Sequence, residues 1–191
     1  GDKSLSIRWV LFASLSQGIS KARNLLMSED VIAALNTIKK LGIKVKTKKN
    51  EVQVHGRGMN GYKYNKRLVI NAKNSGTLGR LILGILINTP YTVKIIGDKS
   101  LSRRDFKRVT DPLSRFGAKF KLRNKKFLPL TILGSKNLRP ITYNEKRGSA
   151  QCKSSIIFGA MKVNGASLIK AKKSRNHTEL LCKYLKLPIH I

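Results

Sequence analysis

A six-residue segment occurs twice in this chain, and both copies place a lysine and a serine just before a stretch with helical character. Gly-Asp-Lys-Ser-Leu-Ser stands at residues 1–6 and again at residues 97–102. In the first copy Lys3 offers an ammonium, Ser4 a hydroxyl and Arg8, one helical turn further on, a guanidinium. The free N–H groups and the positive dipole end of a helix start favour negative charge. The segment therefore predicts binding of a phosphate or a carboxylate.

Two other loops combine small residues with hydrogen-bonding groups. Asn-Ser-Gly-Thr stands at residues 74–77, where Gly76 lets the backbone approach a ligand closely. Gly-Ser-Ala-Gln stands at residues 148–151, and the Gln151 amide can both donate and accept a hydrogen bond. An ordinary helix cap explains either loop equally well when it is taken alone.

Two more clusters bring positive charge to similar positions. Arg104 follows the second copy of the repeated segment, and Ser174 lies within the basic run at residues 172–175. Each cluster alone fits a solvated surface. The same combination of cation and hydroxyl at several junctions between strands and helices instead favours loops that converge on one anionic ligand.

The elements that must position these loops are predicted to form three successive units of the α/β class. Each unit reads helix, strand, helix, strand, strand, and the first helices begin near Ser4, Ser75 and Ser149, with Ser28 capping a second helix. We expect one domain over residues 1–191, with units at about 1–60, 61–135 and 136–191, the last incomplete. The predicted helices are 4–17 (amphipathic), 29–41, 75–88, 103–116, 149–163 and 176–185. The predicted strands are 21–26, 43–47, 51–55, 91–96, 118–122, 128–133, 167–171 and 187–191.

The charge of the chain is its most unusual bulk property. Forty lysines and arginines stand against nine aspartates and glutamates, which gives a formal net charge of +31. Such an excess is typical of polyanion binding, nucleic acid first, although a solvated lysine-rich surface has the same composition. Aromatic residues make up only 6% of the chain, which leaves few platforms for stacking bases. A basic nucleic-acid-binding module is therefore an alternative function, and no specific nucleic-acid partner is expected.

The positions of the cysteines and histidines argue against a metal site, and the hydropathy of the chain argues against a membrane span. The two cysteines, Cys152 and Cys182, lie far apart and the three histidines are isolated, so we predict neither a metal site nor a cofactor. Free thiols fit a reducing compartment. The longest apolar run is too short to cross a bilayer, and no leader pattern opens the chain. We therefore expect a cytoplasmic location without membrane contact.

Five segments of the chain, in order, resemble motifs of one enzyme family, the 3-phosphoshikimate 1-carboxyvinyltransferases, also called 5-enolpyruvylshikimate-3-phosphate synthases. GDKSLSIR at residues 1–8 resembles the family's GDKS-x-S-x-R loop, and NSGTLGR at 74–80 resembles its N-[SA]-G-T-x-x-R segment. GDKSLSRR at 97–104 resembles GD-x-SL-x-x-RP, GSAQCKS at 148–154 resembles SAQ-x-KS, and SRNHTE at 174–179 resembles SRDHTE. The resemblance covers essentially the whole chain.

The resemblance implies a reaction, a fold and a set of binding residues. The family transfers the enolpyruvyl group of phosphoenolpyruvate to shikimate-3-phosphate in aromatic amino acid biosynthesis and releases phosphate. Its fold has two lobes, each built from three similar units with pseudo-threefold symmetry. The residues implied for shikimate-3-phosphate are Lys3, Ser4, Arg8, Ser149, Ala150, Gln151 and Ser174. Those implied for phosphoenolpyruvate are Lys3, Gly76, Arg104 and Gln151.

The chain departs from the family pattern at four positions. Asp105 replaces a proline after Arg104, where its charge could weaken the attraction of that arginine for an anion. Lys73 replaces a glycine, and Asn176 replaces an aspartate. Ala150 stands where some members have serine, so its contact with a substrate would be through the backbone.

Family members are more than twice as long as this chain, so the resemblance implies one substrate-binding lobe and a second lobe that completes the site. The general acid and base are expected in that second lobe. The nine carboxylates of this chain fall mostly in cap or surface contexts, and Lys3 is the residue here that could contribute to catalysis. We therefore expect the isolated chain to be inactive. The other alternative is a UDP-N-acetylglucosamine enolpyruvyl transferase lobe, whose usual cysteine has no counterpart in residues 97–104.

Overall fold

The structure, a computed structural model, describes all 191 residues as six α-helices and nine β-strands. None of the helices is long and apolar enough to cross a membrane. The helices are α1 (Lys3–Leu15), α2 (Glu29–Lys40), α3 (Gly76–Ile85), α4 (Lys107–Arg115), α5 (Ala150–Ala160) and α6 (His177–Tyr184). The strands are β1 (Gln17–Arg23), β2 (Lys44–Lys48), β3 (Glu51–Arg57), β4 (Val69–Asn71), β5 (Val93–Ile96), β6 (Lys119–Arg123), β7 (Phe127–Leu133), β8 (Thr142–Glu145) and β9 (Leu168–Ala171).

The order of elements recurs along the chain, and the order of strands within the sheets recurs with it. The first sheet has the order β1-β3-β2, and the second has the order β4-β5-β7-β6, in which β5-β7-β6 repeats the first arrangement. The third sheet pairs β8 with β9 in parallel, as β4 pairs with β5. The predicted α/β class with repeated units is confirmed, whereas the unit boundaries near residues 60 and 135 stay a prediction.

Two short strands were missed in the sequence, and one predicted strand is wrong. β4 and β8 have three and four residues, and each pairs with a strand that follows the next helix. Segments of three or four residues are too short to show the alternating pattern of a strand. They are strands because they pair with a partner that is distant in sequence. Residues 187–191 form no strand, and Ile191 is 79% exposed, since no strand of the chain lies beside them.

The largest differences in element boundaries are two starts that lie four residues from the prediction. Residues 101–103 form a 3-10 turn, and α4 begins only at Lys107 rather than at residue 103. The Asp98 carboxylate accepts the Leu101 N–H at 2.7 Å, which closes a tight local turn in place of the first turn of a longer helix. β1 occupies Gln17–Arg23 and so lies earlier than the predicted strand at 21–26.

The core of the lobe is built around α1, α3 and α5, the first helix of each repeated unit. The prediction of an amphipathic α1 is wrong, because residues 6–8 and 10–15 are buried, including the polar side chains of Ser6, Arg8 and Ser14. α1 packs against α2 and α3 and against β3, so most of its surface is buried and Trp9 is the one partly exposed residue between Ser6 and Leu15. α3 and α5 approach closely at Gly84, where the Ser155 carbonyl oxygen occupies the space that a Cβ would need.

We predict that Gly84→Ala lowers the free energy of unfolding by about 1–3 kcal/mol, because backbone of the neighbouring helix must shift to admit the methyl group. Gly79→Ala in the same helix is the matched control. A Cβ at Gly79 meets only the ring edge of Phe106, at 3.3 Å, so the crowding is milder than at Gly84. Replacing glycine by alanine raises helix propensity equally at both positions, and at Gly79 this gain offsets the crowding. Urea unfolding monitored by circular dichroism measures both variants. Equal losses at Gly84 and Gly79 would contradict the proposed close approach of α3 and α5.

Candidate functional site

The N-termini of α1, α3 and α5 meet at one cleft of about 530 Å³. Each helix is capped by a side chain: Asp2 accepts the Leu5 N–H at 2.7 Å, and Ser75 and Ser149 cap α3 and α5 in the same way. A cap satisfies only one of the free N–H groups in the first turn of a helix. The cleft therefore lies where three sets of backbone donors and three positive dipole ends come together.

The structure brings all nine site residues expected from the sequence to this cleft. Five further lining residues had been given no role. The nine expected residues are Lys3, Ser4, Arg8, Gly76, Arg104, Ser149, Ala150, Gln151 and Ser174. The five others are Asp30, Asn74, Thr77, Gly148 and Arg175.

Arg8 is the most buried of the charged residues that line the cleft, with only 2% of its surface exposed. Its Nε donates to Thr178 Oγ1 at 2.8 Å and its Nη2 donates to Ser154 Oγ at 3.0 Å, while Nη1 donates to the backbone and the hydroxyl of Ser4. Burial lowers the pKa of Arg8 from its usual value, and no carboxylate forms an ion pair with it. Hydroxyl groups thus fix the direction of the guanidinium without neutralising its charge.

Arg80 is a second buried guanidinium behind the cleft, and the sequence analysis gave it no role. Its Nη1 donates to Gln151 Oε1 at 2.6 Å, and the Gln151 amide donates in turn to Thr77 Oγ1 at 3.1 Å. The Arg80 guanidinium also lies 5.1 Å from the ring centre of Phe106. Burial, with repulsion from Arg108 and Arg104, lowers the pKa of Arg80 to about 10. Arg80 therefore sets the orientation of Gln151 at the cleft surface.

Gly76 has no room for a side chain. A Cβ at this position would lie 2.7 Å from Arg80 Nη1 and 3.2 Å from Arg104 Nη1. Any larger residue must displace one of these two guanidinium groups. The absence of a side chain thus keeps the cleft open between them.

Arg104 is held by the second copy of the repeated hexapeptide. Its Nη2 donates to Asn74 Oδ1 at 3.1 Å, and Asn74 Nδ2 donates to Asp98 Oδ2 at 2.6 Å. The two hydrogen bonds from Asn74 and Leu101 lower the pKa of Asp98. Lys99 does not line the cleft. The second copy therefore supports the arginine that follows it, whereas the first copy contributes its own side chains.

Two departures from the family pattern have a physical explanation. Asp105 does not turn towards Arg104, because its carboxylate lies 3.6 Å from Arg147 Nη1 and 3.9 Å from Lys126 Nζ. Lys73 adopts a left-handed backbone conformation with φ of 52°, which favours the glycine that is usual there. The Asn71 side chain accepts the Lys73 N–H at 2.9 Å and supports this turn.

Two carboxylates expected in cap or surface contexts are buried instead. Glu145 is only 3% exposed, and its two oxygens accept the N–H groups of Arg147 and Ser149 at 3.1 and 2.9 Å. It therefore fixes the loop that leads into α5. Glu179 is also buried and forms an ion pair with Lys153. The partner of Glu179 is distant in sequence, so spacing carried no sign of that ion pair. The partners of Glu145 are N–H groups two and four residues further on, so its hydrogen bonds are local and only its burial depends on the fold.

The two cysteines are free and buried. Burial raises the pKa of Cys152 to about 12 and that of Cys182 to about 11, so both are neutral thiols near pH 7. Neither thiol lines the cleft. The side chains that face the cleft are therefore cationic, hydroxyl and amide groups, with a single carboxylate.

The family model for EPSP synthase (3-phosphoshikimate 1-carboxyvinyltransferase) matches residues 1–191. The chain belongs to this family. It is 44% identical over 185 residues to the 3-phosphoshikimate 1-carboxyvinyltransferase of Streptococcus mutans, which covers 96% of this chain and 43% of that protein. The corresponding protein of Petrotoga mobilis is 42% identical over 187 residues, with the same coverage.

A solved EPSP synthase from Acinetobacter baumannii has the same fold over this region. The two structures superpose with a TM-score of 0.90 at 32% sequence identity, covering 96% of this chain and 42% of that one. The chain therefore spans less than half the length of the EPSP synthases that it matches. These findings confirm the resemblance drawn from the five motifs and favour it over both alternative functions.

We predict that Thr178→Val costs about 1–3 kcal/mol of unfolding free energy, because it leaves the buried Nε of Arg8 without an acceptor. Thr37→Val is the matched control, since that buried hydroxyl donates only to the carbonyl of Ala33 in its own helix. Urea unfolding compares the two variants. Similar losses of unfolding free energy in the two variants would contradict this prediction. They would show that the hydrogen bond from Arg8 adds nothing to the cost of replacing a buried threonine.

Proposed function

We propose that this chain forms the substrate-binding lobe of an EPSP synthase, in which shikimate-3-phosphate and phosphoenolpyruvate bind in the cleft described above. The complete enzyme would transfer the enolpyruvyl group to shikimate-3-phosphate and release inorganic phosphate. The observation that carries this proposal is the convergence of three helix N-termini and unneutralised guanidinium groups on one cleft.

The charge of the cleft fits the charge of these substrates. Lys3, Arg8, Arg104 and Arg175 line it, and Asp30 is its one carboxylate. The two substrates together carry two phosphates and two carboxylates. Charge-assisted hydrogen bonds from fixed donors are the strong interactions available for such groups, and they need little rearrangement when a ligand arrives.

The positions of individual side chains support a division of the cleft into two subsites. Arg8, Ser149 and Ser174 would hold shikimate-3-phosphate together with Lys3, Ser4, Ala150 and Gln151. The buried Ser174 hydroxyl has no partner in the protein, so it retains its full hydrogen-bonding capacity for a ligand. Gly76 and Arg104 would bind phosphoenolpyruvate. Lys3 and Gln151 would serve both substrates.

The proton transfers of the reaction need groups that this chain does not place in the cleft. Asp30 is paired with Lys3, and the buried carboxylates Glu145 and Glu179 are engaged in holding a loop and Lys153. We therefore assign the general acid and base to a second lobe that closes over the cleft. The neutral thiols are consistent with a reducing, cytoplasmic location.

Calorimetric titration with shikimate-3-phosphate is the direct test. The chain is expected to bind it saturably without releasing phosphate from added phosphoenolpyruvate, because the acid and base are missing. Arg8→Met should weaken binding by about 10- to 100-fold, the equivalent of one hydrogen bond from a charged donor, because the other four N–H groups of Arg8 already have partners in the protein. Arg23→Met is the control, because Arg23 is an exposed arginine on β1 that does not line the cleft.

Two outcomes would contradict this proposal. One is equal binding by the two arginine variants, provided that circular dichroism shows both to be folded. The other is salt-sensitive binding of a short DNA duplex with no response to shikimate-3-phosphate, which would support the nucleic-acid-binding alternative.

Gly76→Ala tests the division into subsites. The added methyl group crowds Arg80 and Arg104, and Arg104 belongs to the proposed phosphoenolpyruvate subsite. We expect it to weaken binding of a phosphoenolpyruvate mimic, measured with shikimate-3-phosphate present, more than binding of shikimate-3-phosphate itself. An equal loss of both affinities would refute the division.

A further inference from the structure

Asp30 is the only carboxylate among the fourteen residues that line the cleft. Its side chain is 17% exposed, and its Oδ2 lies 3.1 Å from the ammonium of Lys3, whose side chain is 56% exposed. An acid in an anion-binding cleft opposes binding by simple repulsion. Its presence there needs a compensating role.

The fold holds Asp30 opposite Lys3 through α1 and α2 together. Asp30 is the second residue of α2, where a negative charge lies next to the positive end of the helix dipole. Ser28 occupies the predicted N-cap position of α2, but its hydroxyl makes no capping bond. The segment before α2 is tied to α1 by a hydrogen bond from the Leu26 N–H to Ser6 Oγ at 3.3 Å. The two helix starts therefore lie side by side at the cleft.

The Lys3 side chain needs such a partner because it is long and largely exposed. A free lysine side chain loses conformational entropy when one rotamer is selected. An ammonium has three donors, and Asp30 takes one of them, which leaves two for a ligand. A restrained Lys3 would therefore bind an anion with less loss of entropy than a free one.

We propose that Asp30 is a positioning residue that holds the Lys3 ammonium at the cleft wall, so that its remaining donors face the anionic substrates. The identity of those substrates rests on the proposed function, but the effect on Lys3 does not. Asp30 then acts in two separable ways: its charge repels the ligand, and its oxygen fixes Lys3.

Two substitutions separate these effects. Asp30→Asn removes the charge and keeps an oxygen acceptor for Lys3, whereas Asp30→Ala removes both. Calorimetry on the whole chain with inorganic phosphate, and separately with shikimate-3-phosphate, should show Asp30→Asn binding at least as tightly as the unmodified protein. Asp30→Ala should bind roughly two- to fivefold more weakly than Asp30→Asn, the range expected for one partly exposed pair.

The same comparison in a Lys3→Met background shows whether the effect acts through Lys3. The difference between the Asn and Ala variants should disappear there, and its persistence would overturn the proposal. Equal affinities of Asp30→Asn and Asp30→Ala with Lys3 intact would also overturn it, because charge alone would then explain both. Glu29→Gln and Glu29→Ala are the matched controls, since Glu29 lies in the same helical turn outside the cleft. Those two variants should bind alike.

Two further measurements separate an effect on binding from an effect on stability, and the role of Asp30 from the identity of the ligand. Both Asp30 variants lose the same favourable charge at the start of α2, so urea unfolding should show similar losses for the two. Phosphate binding that shows the Asn–Ala difference, together with no response to shikimate-3-phosphate, would overturn the proposed function and leave the role of Asp30 standing. Failure to bind either anion would overturn both.

Discussion

The guanidinium groups of Arg8 and Arg80 lie buried beside the cleft, and neither forms an ion pair. Burying an unpaired charge is costly, and here the cost is reduced by hydroxyl, carbonyl and amide groups and by one aromatic ring. These neutral partners must themselves be fixed, so the segments around Thr178, Ser154 and Gln151 have little freedom to move. The arrangement of α1, α3 and α5 is therefore constrained by the need to solvate two positive charges without cancelling them.

The few carboxylates of this basic chain are used in a way that preserves positive charge at the cleft. Asp2 and Asp98 cap local turns, and Glu145 holds the loop before α5. Asp105 pairs with Lys126 and Arg147 rather than with Arg104. These four acids thus stabilise backbone and surface, and Asp30, which pairs with Lys3, is the one acid at the cleft. A cleft in which positive charge predominates also attracts anionic ligands from a distance, and salt weakens that attraction.

Much of the candidate site could be predicted from the sequence because its residues lie in short local motifs at helix starts. Caps such as Ser75 and Ser149 and small residues such as Gly76 mark these starts directly, since their roles depend on neighbouring backbone. Arg80 and Glu145 were missed, although both are close in sequence to site residues. The partner of Arg80 is Gln151, 71 positions away, which only the fold brings beside it. Glu145 bonds the backbone of its own loop, but its burial depends on the surrounding fold.

The sequence alone predicted six helices and the starts of five of them to within one residue, because hydrogen-bonding side chains and 3.6-residue periodicity act over a few positions. The tertiary structure determined that the middle of α1 is buried except at Trp9, that α4 begins at Lys107, that β4 and β8 are strands and that residues 187–191 are not one. It also decided that Asp30 faces Lys3, 27 positions away. The physical reason is common to all these cases: burial, strand pairing and ion pairing depend on distant partners, and no local pattern identifies them.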